Sequence, residues 1–348
     1  MSARRAWDRY DESDAKVRTT RRSRPRSKNR PRHDDAEPGV VVTIDRGRYT
    51  CLVGGLNDAD NPARVLVTAA QARELGRRSV VVGDEVDIVG DVSGRAGTLA
   101  RIVRVRPRRT TLRRTADDTD PYERVVVANA EQMLMVTSVA DPEPRPRLID
   151  RCLVAAFDAG IEPMLCLTKT DLADPAEMIE TYVPLQVTTV TVGHLPEGGA
   201  DLSAIKELLA GHVTVLVGHS GVGKSSLVNA LVPGSSRSVG QVSATTGRGR
   251  HTSTSAYALE LSSGGWVVDT PGIRSFGLAH VDPTRLVSAF PDLREATTSC
   301  PRGCRHDSEE PECGLDAAVR AGTVDAGRVD SFRRLLSSRE QRPGDEEP

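Results

Sequence analysis

The apolar pattern changes character along the chain. Between residues 39 and about 110, short β-like runs such as "GVVVTI", "ARVLVTA" and "TLARIVRVR" are separated by Gly and Asp turns. Several short strands at this spacing predict a small all-β barrel of the OB type. From about Arg124 to Leu278 the apolar runs become strands set between amphipathic helices. "QMLMVTSVA", "PMLCLTKTD", "LQVTTVTV", "HVTVLVGHS" and "WVVDTPG" read as buried strands, and "LIDRCLVAAFDAG" reads as a helix between two of them. This alternation predicts an α/β domain with a mostly parallel, doubly wound sheet. Residues 279 to about 342 return to mixed helix around a group of cysteines. The expected organisation is a disordered basic tail over 1–38, a barrel over 39–112, the α/β domain over 113–278, a metal-binding helical region over 279–342 and a disordered end over 343–348. A chain of 348 residues is too long for one ordinary core, in keeping with this division.

Charge changes the picture locally. The 47 basic and 48 acidic residues leave a net charge of −1, so the molecule is no polycation. Yet "KVRTTRRSRPRSKNRPR", from Lys16 to Arg32, holds nine Lys or Arg and no acid. It has too little apolar surface to fold alone, and its charge suits phosphate backbones. "RIVRVRPRRTTLRR", at the end of the barrel, carries seven arginines in 14 residues and predicts a second basic surface. With two Trp, five Tyr and four Phe in the whole chain, stacking of bases on an aromatic platform is a poor basis for nucleic-acid binding; backbone contacts by charge are the better one. No apolar run approaches the roughly 18 residues of a membrane span, and the N-terminus lacks the apolar core of a secretory signal. The expectation is a cytoplasmic monomer with no membrane partner, whose six cysteines are thiols rather than disulfides.

The chemistry is concentrated in a few motifs. "GHSGVGKS" matches GxxxxGK[ST], with a strand feeding it and the helix "SSLVNAL" leaving it. Backbone N–H groups of Gly218, His219, Ser220, Gly221, Val222 and Gly223 would wrap phosphates at the positive end of that helix, as would those of Ser225 and Ser226. Lys224 would reach the β- and γ-phosphates, and the Ser225 hydroxyl would ligate Mg²⁺. Downstream, "VVDTPG" places Asp269 at the end of an apolar strand, where its carboxylate can hold the metal, and leaves the Gly272 N–H to meet a γ-phosphate. Between these lies "SATTGRGRHTSTSAYALEL", a polar loop able to order around Mg²⁺, with Thr252 as the candidate ligand. Ile273 stands where a water-orienting side chain would be expected, and it cannot polarise water. His251 is the candidate for that role, so both Lys224 and His251 are read as catalytic.

In "TKTD" the Asp171 carboxylate can accept from the N1–H and exocyclic amine of guanine, a pattern adenine cannot offer, while the stem of Lys169 covers the ring. Thr168 and Thr170 complete the motif. This base reader precedes the phosphate loop in the chain. In a parallel sheet the binding loops sit at the carboxyl ends of neighbouring strands, so spatial adjacency matters and chain order does not. The inverted order predicts a circularly permuted GTPase: base reader, phosphate loop, first switch, second switch. The loop backing the base, near residues 191–194, has no distinctive residue.

"CPRGCRHDSEEPEC" places Cys300, Cys304, His306 and Cys313 with gaps of three, one and six residues. Three thiolates and an imidazole are the donor set of a closed structural Zn²⁺ site. With few large apolar side chains nearby, the expectation is that metal removal unfolds everything from about residue 280 onward while sparing nucleotide binding.

Together these motifs resemble the ribosome small-subunit-dependent GTPase A family over roughly Val40 to Leu336. The residues that carry the likeness are "VVGDEV", TKTD ahead of "GHSGVGKSSLVNAL", "GRGRHTST", "DTPGIRSFGL", and the cysteine cluster followed by "AAVRAGTVDAGRVDSF". The resemblance implies a late assembly factor of the small ribosomal subunit that binds ribosomal RNA and GTP, with hydrolysis to GDP stimulated by the subunit. It also implies that barrel and zinc region both clasp that RNA. This chain departs from the family pattern at Thr168, where the family has Asn, in a Cys300–Cys304 gap one residue shorter, and in a His306–Cys313 gap one longer. Two other readings remain open at this point: an RNA-binding scaffold with a regulatory nucleotide site, and an ATPase or small-molecule kinase.

Overall fold

The computed structural model describes residues 33–54, 61, 64–75, 80–114, 124–193, 201–233, 256–270, 278, 281, 283–310 and 312–340. The basic run from Lys16 to Arg32 lies outside them.

Five strands form the barrel: β1 (Glu37–Asp45), β2 (Arg48–Val53), β3 (Val65–Gln71), β4 (Glu85–Val89) and β5 (Ala100–Val105). They follow the order β1-β2-β3-β5-β4, and β1 pairs again with β4 to close the ring. The β3–β5 contact is parallel and the others are antiparallel. Alternate side chains point inward, so that Val41, Cys51, Val67, Val86, Ile88 and Ile102 are fully buried.

The arginine-rich stretch stays largely at the surface, as its composition predicts, but part of its charge is compensated. Arg104 and Arg106 both bond to the buried Asp87, Arg108 grips the fully buried Asp84 with two nitrogens, and Arg109 pairs with Glu85. A run of like charge reads as a binding face only until its counter-ions are found. Here the acids of "GDEVD" hold the linker to the barrel, because a buried carboxylate is costly unless it is paired and hydrogen-bonded. From there β6 (Thr111–Arg114) and β7 (Arg124–Ala128) form an antiparallel ribbon leading into the α/β region.

The main sheet contains β8 (Gln132–Ser138), β9 (Glu162–Thr168), β10 (Thr188–Val192), β11 (Val213–Val217), β12 (Tyr257–Glu260) and β13 (Trp266–Asp269). Its order is β10-β9-β8-β11-β13-β12, parallel throughout except for β12. Both faces are covered, which is why these strands read as continuous apolar runs. On β8, Met133 and Met135 face one core shared with Ile149 and Leu153 of α1 (Pro146–Ala159). Leu134 and Val136 face the other, against Ile205 and Leu209 of α3 (Ser203–Leu209) and Leu227, Val228 and Leu231 of α4 (Lys224–Leu231). A further short helix, α2 (Ala176–Tyr182), follows β9. At the far edge β12 also pairs with β1, Thr43 opposite Tyr257, so the barrel continues the sheet.

The C-terminal region is less dependent on its cysteines than its composition suggests. Phe290, Leu293, Leu315, Phe332 and Leu335 are buried in the same core as α1. Phe290 meets Phe157 of α1 edge-on at 4.8 Å between ring centroids and Phe332 at 5.5 Å. The terminal helix Ala326–Glu340 is tied to the α/β region by polar contacts as well. Arg328 bonds the Pro184 carbonyl while also pairing with Asp292 of its own region, Arg334 bonds Asp150, and Arg151 donates to the Ser338 carbonyl. Aromatic residues are few in the chain, but several are spent here.

Candidate nucleotide site and metal centre

Strands β9 and β11 flank β8, and all three run the same way, so the loops at their carboxyl ends share one rim. TKTD begins on the last residue of β9, and the phosphate loop starts immediately after β11. The rim is cross-linked by one side chain. Thr168, almost wholly buried, donates its hydroxyl to the Val222 carbonyl at 2.6 Å and lies 3.2 Å from the carbonyl of Thr137 on β8. The strand that carries TKTD therefore holds the Val222 end of the GxxxxGKS loop directly. The threonine that stands in place of the family's Asn is long enough for this contact.

The phosphate loop packs closely enough to restrict its residues. A Cβ on Gly218 would meet the Val136 carbonyl oxygen at 2.4 Å, so only glycine lets the loop leave β11 beside β8. Gly223 caps α4 with φ of 90°, the left-handed region, and the Lys224 side chain rises from the first residue of that helix. Lys224 forms an ion pair with Asp269 at the end of β13 and lies 3.4 Å from the Thr270 carbonyl. The group expected to reach phosphates and the group expected to serve the metal are thus direct neighbours. Ser225 and Ser226 are exposed at the start of the helix, and His219 contacts the Ser220 carbonyl through its Nδ1.

On the base side, Lys169 has φ of 58° and donates its ammonium to the Asp141 carbonyl in the loop after β8. Asp171 is exposed two residues further along. Thr170 faces the end of β10, where a Cβ on Gly193 would lie 3.8 Å from the Thr170 hydroxyl. The structure thus brings Thr168, Lys169, Thr170 and Asp171 to the same rim as Gly218–Ser226, Lys224 and Asp269. His251, Thr252 and the rest of the hydroxyl-rich loop up to residue 255, as well as Gly272 and Ile273, lie outside the described residues.

Two contacts at this rim were not anticipated. Tyr257 donates its hydroxyl to Asp269 Oδ2 at 2.8 Å, and Thr270 donates to the Leu216 carbonyl at 2.7 Å. Burial, and then the Asp269 charge, push the Tyr257 phenol above its ordinary value, so it stays a donor at any working pH. The signal available in the sequence was the "SSGG" turn, since folding "YALELSSGGWVVD" back at that turn sets Tyr257 opposite Asp269.

Cys300, Cys304, His306 and Cys313 come together with all donor atoms within 4.8 Å of one another. The three sulfurs lie 3.5, 3.4 and 3.8 Å from His306 Nδ1. A tetrahedral zinc with bonds of about 2.3 Å to sulfur and about 2.0–2.1 Å to nitrogen has S···N edges of about 3.6 Å, so the donor set fits that ion. Surrounding groups hold the donors in place. The Gly314 N–H donates to Cys300 Sγ at 3.1 Å, and Arg333, paired with Asp316, donates to the His306 carbonyl at 3.1 Å. Burial, and then the Arg333 charge, hold the His306 imidazole below its ordinary value and so in the neutral form a metal requires. Burial, and then the neighbouring thiols, push Cys304 up to about 12, a proton that a dication would displace.

The RsgA GTPase family pattern matches residues 105–279. The chain is 39% identical over 269 residues to the "Small ribosomal subunit biogenesis GTPase RsgA" of Pseudomonas aeruginosa (strain LESB58), covering 75% of this chain and 76% of that protein. It is 34% identical over 312 residues to the "Small ribosomal subunit biogenesis GTPase RsgA 1" of Vibrio vulnificus (strain YJ016), covering 87% and 84%. Among solved structures it is similar to YloQ, described as a circularly permuted GTPase, with TM-score 0.62 at 24% identity over 90% of this chain and 98% of that one. It is also similar to YjeQ from Thermotoga maritima, with TM-score 0.62 at 27% identity over 88% and 99%. The inverted order of base reader and phosphate loop, the five-stranded barrel ahead of them and the Cys₃His cluster behind them therefore have one explanation: this chain belongs to the RsgA GTPase family.

Proposed function

We propose that this chain is a GTPase acting late in the assembly of the small ribosomal subunit, binding ribosomal RNA and hydrolysing GTP to GDP and phosphate on the subunit. The observation that carries the nucleotide half is the Thr168–Val222 bond, which ties the base-reading strand to the phosphate loop so that one nucleotide can span both. Support for the ribosomal half comes from the relatives named above and from the basic run between Lys16 and Arg32, whose charge suits an RNA backbone. Among the described residues no helix is long and apolar enough to cross a membrane; the proposed working form is a cytoplasmic monomer.

In this reading Asp171 selects guanine, the loop N–H groups of residues 218–226 hold the phosphates, and Lys224 neutralises charge on the transferred phosphoryl group. Ser225, Thr252 and Asp269 are the residues that would hold Mg²⁺, which would supply positive charge to offset that of the phosphates. Gly272 would offer its N–H to the γ-phosphate, and His251 would position the attacking water. With Ile273 unable to do so, intrinsic turnover should be slow and should await ordering of the loop by the subunit. Cys300, Cys304, His306 and Cys313 would hold one structural Zn²⁺.

The test is steady-state GTP turnover with and without purified small subunits. Supplying one positioned proton acceptor is worth roughly 10²-fold, so stimulation of that order is expected, with no comparable ATP turnover. A rate indifferent to subunits, together with equal subunit binding in GTP and GDP, would favour the scaffold reading instead.

A further inference from the structure

Tyr257 lies toward the end of "SATTGRGRHTSTSAYALEL", past the hydroxyl-rich part that carries the candidate Mg²⁺ ligand, yet it touches the nucleotide site's carboxylate. Its hydroxyl donates to Asp269 Oδ2 at 2.8 Å, while the other oxygen, Oδ1, meets the ammonium of Lys224. Asp269 is 6% exposed, so both oxygens are committed to partners within the protein. Which oxygen faces the phosphate loop is decided by which one the phenol holds.

The placement of that phenol is set on two sides. Tyr257 lies directly opposite Asp269 in the β12–β13 ladder, and on its other edge it lies opposite Thr43 of β1 in the barrel. A side chain fixed between two ladders has few rotamers left to lose, so its hydrogen bond orients the acceptor at little entropic cost. The ring packs at the edge of the apolar layer containing Leu259 and Val267.

We infer that Tyr257 is a positioning residue for the nucleotide metal: it holds Asp269 Oδ2 and so presents Oδ1 toward the phosphate loop, where the metal's shell must lie. This inference rests on Asp269 serving Mg²⁺, as proposed above. It differs in assigning part of the metal's affinity to a phenol on β12. Partners that orient a metal-serving group are typically worth ~10–100-fold in metal affinity.

The experiment uses the full chain, a fluorescent GDP derivative and Mg²⁺. For each variant the affinity for the derivative is measured at saturating Mg²⁺ and in excess chelator, and the Mg²⁺ midpoint for retention of the derivative is titrated. Tyr257→Phe keeps the ring and removes the donor. It should raise the Mg²⁺ midpoint about tenfold and reduce the ratio of the two affinities, and Asp269→Asn should do so at least as strongly. In the Asp269→Asn background, adding Tyr257→Phe should shift the midpoint no further, because the acceptor it orients is already altered. A midpoint unchanged by Tyr257→Phe but shifted by Asp269→Asn would overturn the inference and leave the metal site standing. Equal effects of Tyr257→Phe in both backgrounds would show that it acts through packing and would also overturn it. If Asp269→Asn leaves the midpoint unmoved, the reading of Asp269 falls and the inference falls with it.

Discussion

The nucleotide rim and the cysteine cluster both depend on close side-chain placement, but they obtain it by different means. At the rim the residues stand far apart in the chain, Thr168 and Val222 by 54 positions and Lys224 and Asp269 by 45, and a parallel sheet with two buried faces brings them together. At the cluster the four donors lie within 14 residues, on turns between short helices, with Gly314 and Arg333 as the polar groups that hold them from outside. A site carried by a sheet keeps its shape without its ligand, because the backbone ladder is already satisfied. A site carried by turns depends more on its ion, because among the described residues no strand ladder runs through it. Permuting the chain leaves the first kind of site intact, and the second still gathers its four donors within 4.8 Å of one another.

Metal removal should expose this difference most strongly. Structural zinc is worth on the order of 10 kcal/mol to the segment it folds, so chelation should abolish amide-exchange protection and protease resistance over residues 297–316. The expectation drawn from composition, that everything beyond about residue 280 unfolds, gives way to a narrower one. Phe290, Phe332 and Leu335 share the core of α1, and Arg328 and Arg334 hold the terminal helix to it. That helix should remain protected, and GTP affinity should be unchanged. Loss of protection across 326–340 on chelation would show that the metal, not the core, carries the whole region.

Phe290→Ala tests the same division from the other side. Truncating a buried phenylalanine costs ~3–5 kcal/mol, and here it also removes the edge-on contacts to Phe157 and Phe332 and the face under the Arg328 guanidinium. The terminal helix should loosen in hydrogen exchange while the metal remains bound. Asp171→Asn moves to the rim. Losing one charged partner of a hydrogen-bonded pair costs about 2–5 kcal/mol, so GTP affinity should fall roughly 10²-fold while ATP affinity stays as it was, read by competition against a fluorescent nucleotide. Equal losses for both nucleotides would remove Asp171 as the base reader.

Much of this was legible in the sequence, and the exceptions have a common cause. The strands of the sheet announced themselves because burial on both faces demands unbroken apolar runs, as in "QMLMVTS". The phosphate loop did so because close backbone approach demands glycine, as at Gly218 against the Val136 carbonyl. What could not be read were contacts between segments whose partner is set by the fold. The arginines in and after β5 read as an uncompensated basic surface because Asp84, just before β4, and Asp87, on β4, which pair with Arg104, Arg106 and Arg108, lie on an earlier segment. Phe290 and Phe332 looked too sparse to make a core because their third partner, Phe157, belongs to a helix more than a hundred residues earlier. The pairing of Thr43 with Tyr257, which joins the barrel to the sheet, leaves no local signature at all.

The smallest expected effect is the one that probes the rim's own cross-link. Thr168→Val keeps volume and β-branching but removes the hydroxyl that the Val222 carbonyl accepts at 2.6 Å. Leaving that carbonyl without its partner should cost ~1–3 kcal/mol of stability, measured by thermal or denaturant unfolding. Because Val222 belongs to the loop proposed to hold the phosphates and Asp171 is the proposed base reader, part of this cost should appear as weaker GTP binding, about tenfold at most. Thr168→Asn supplies a longer donor to the same carbonyl and should restore both quantities, whereas Thr168→Ser, with the hydroxyl but without the methyl, should recover most of the affinity and less of the stability. If Thr168→Val lowers stability yet leaves GTP affinity equal to that of Thr168→Asn, the bond is only a packing feature of β9. The two ends of the nucleotide would then be positioned independently, and the rim would be two sites on one sheet rather than one.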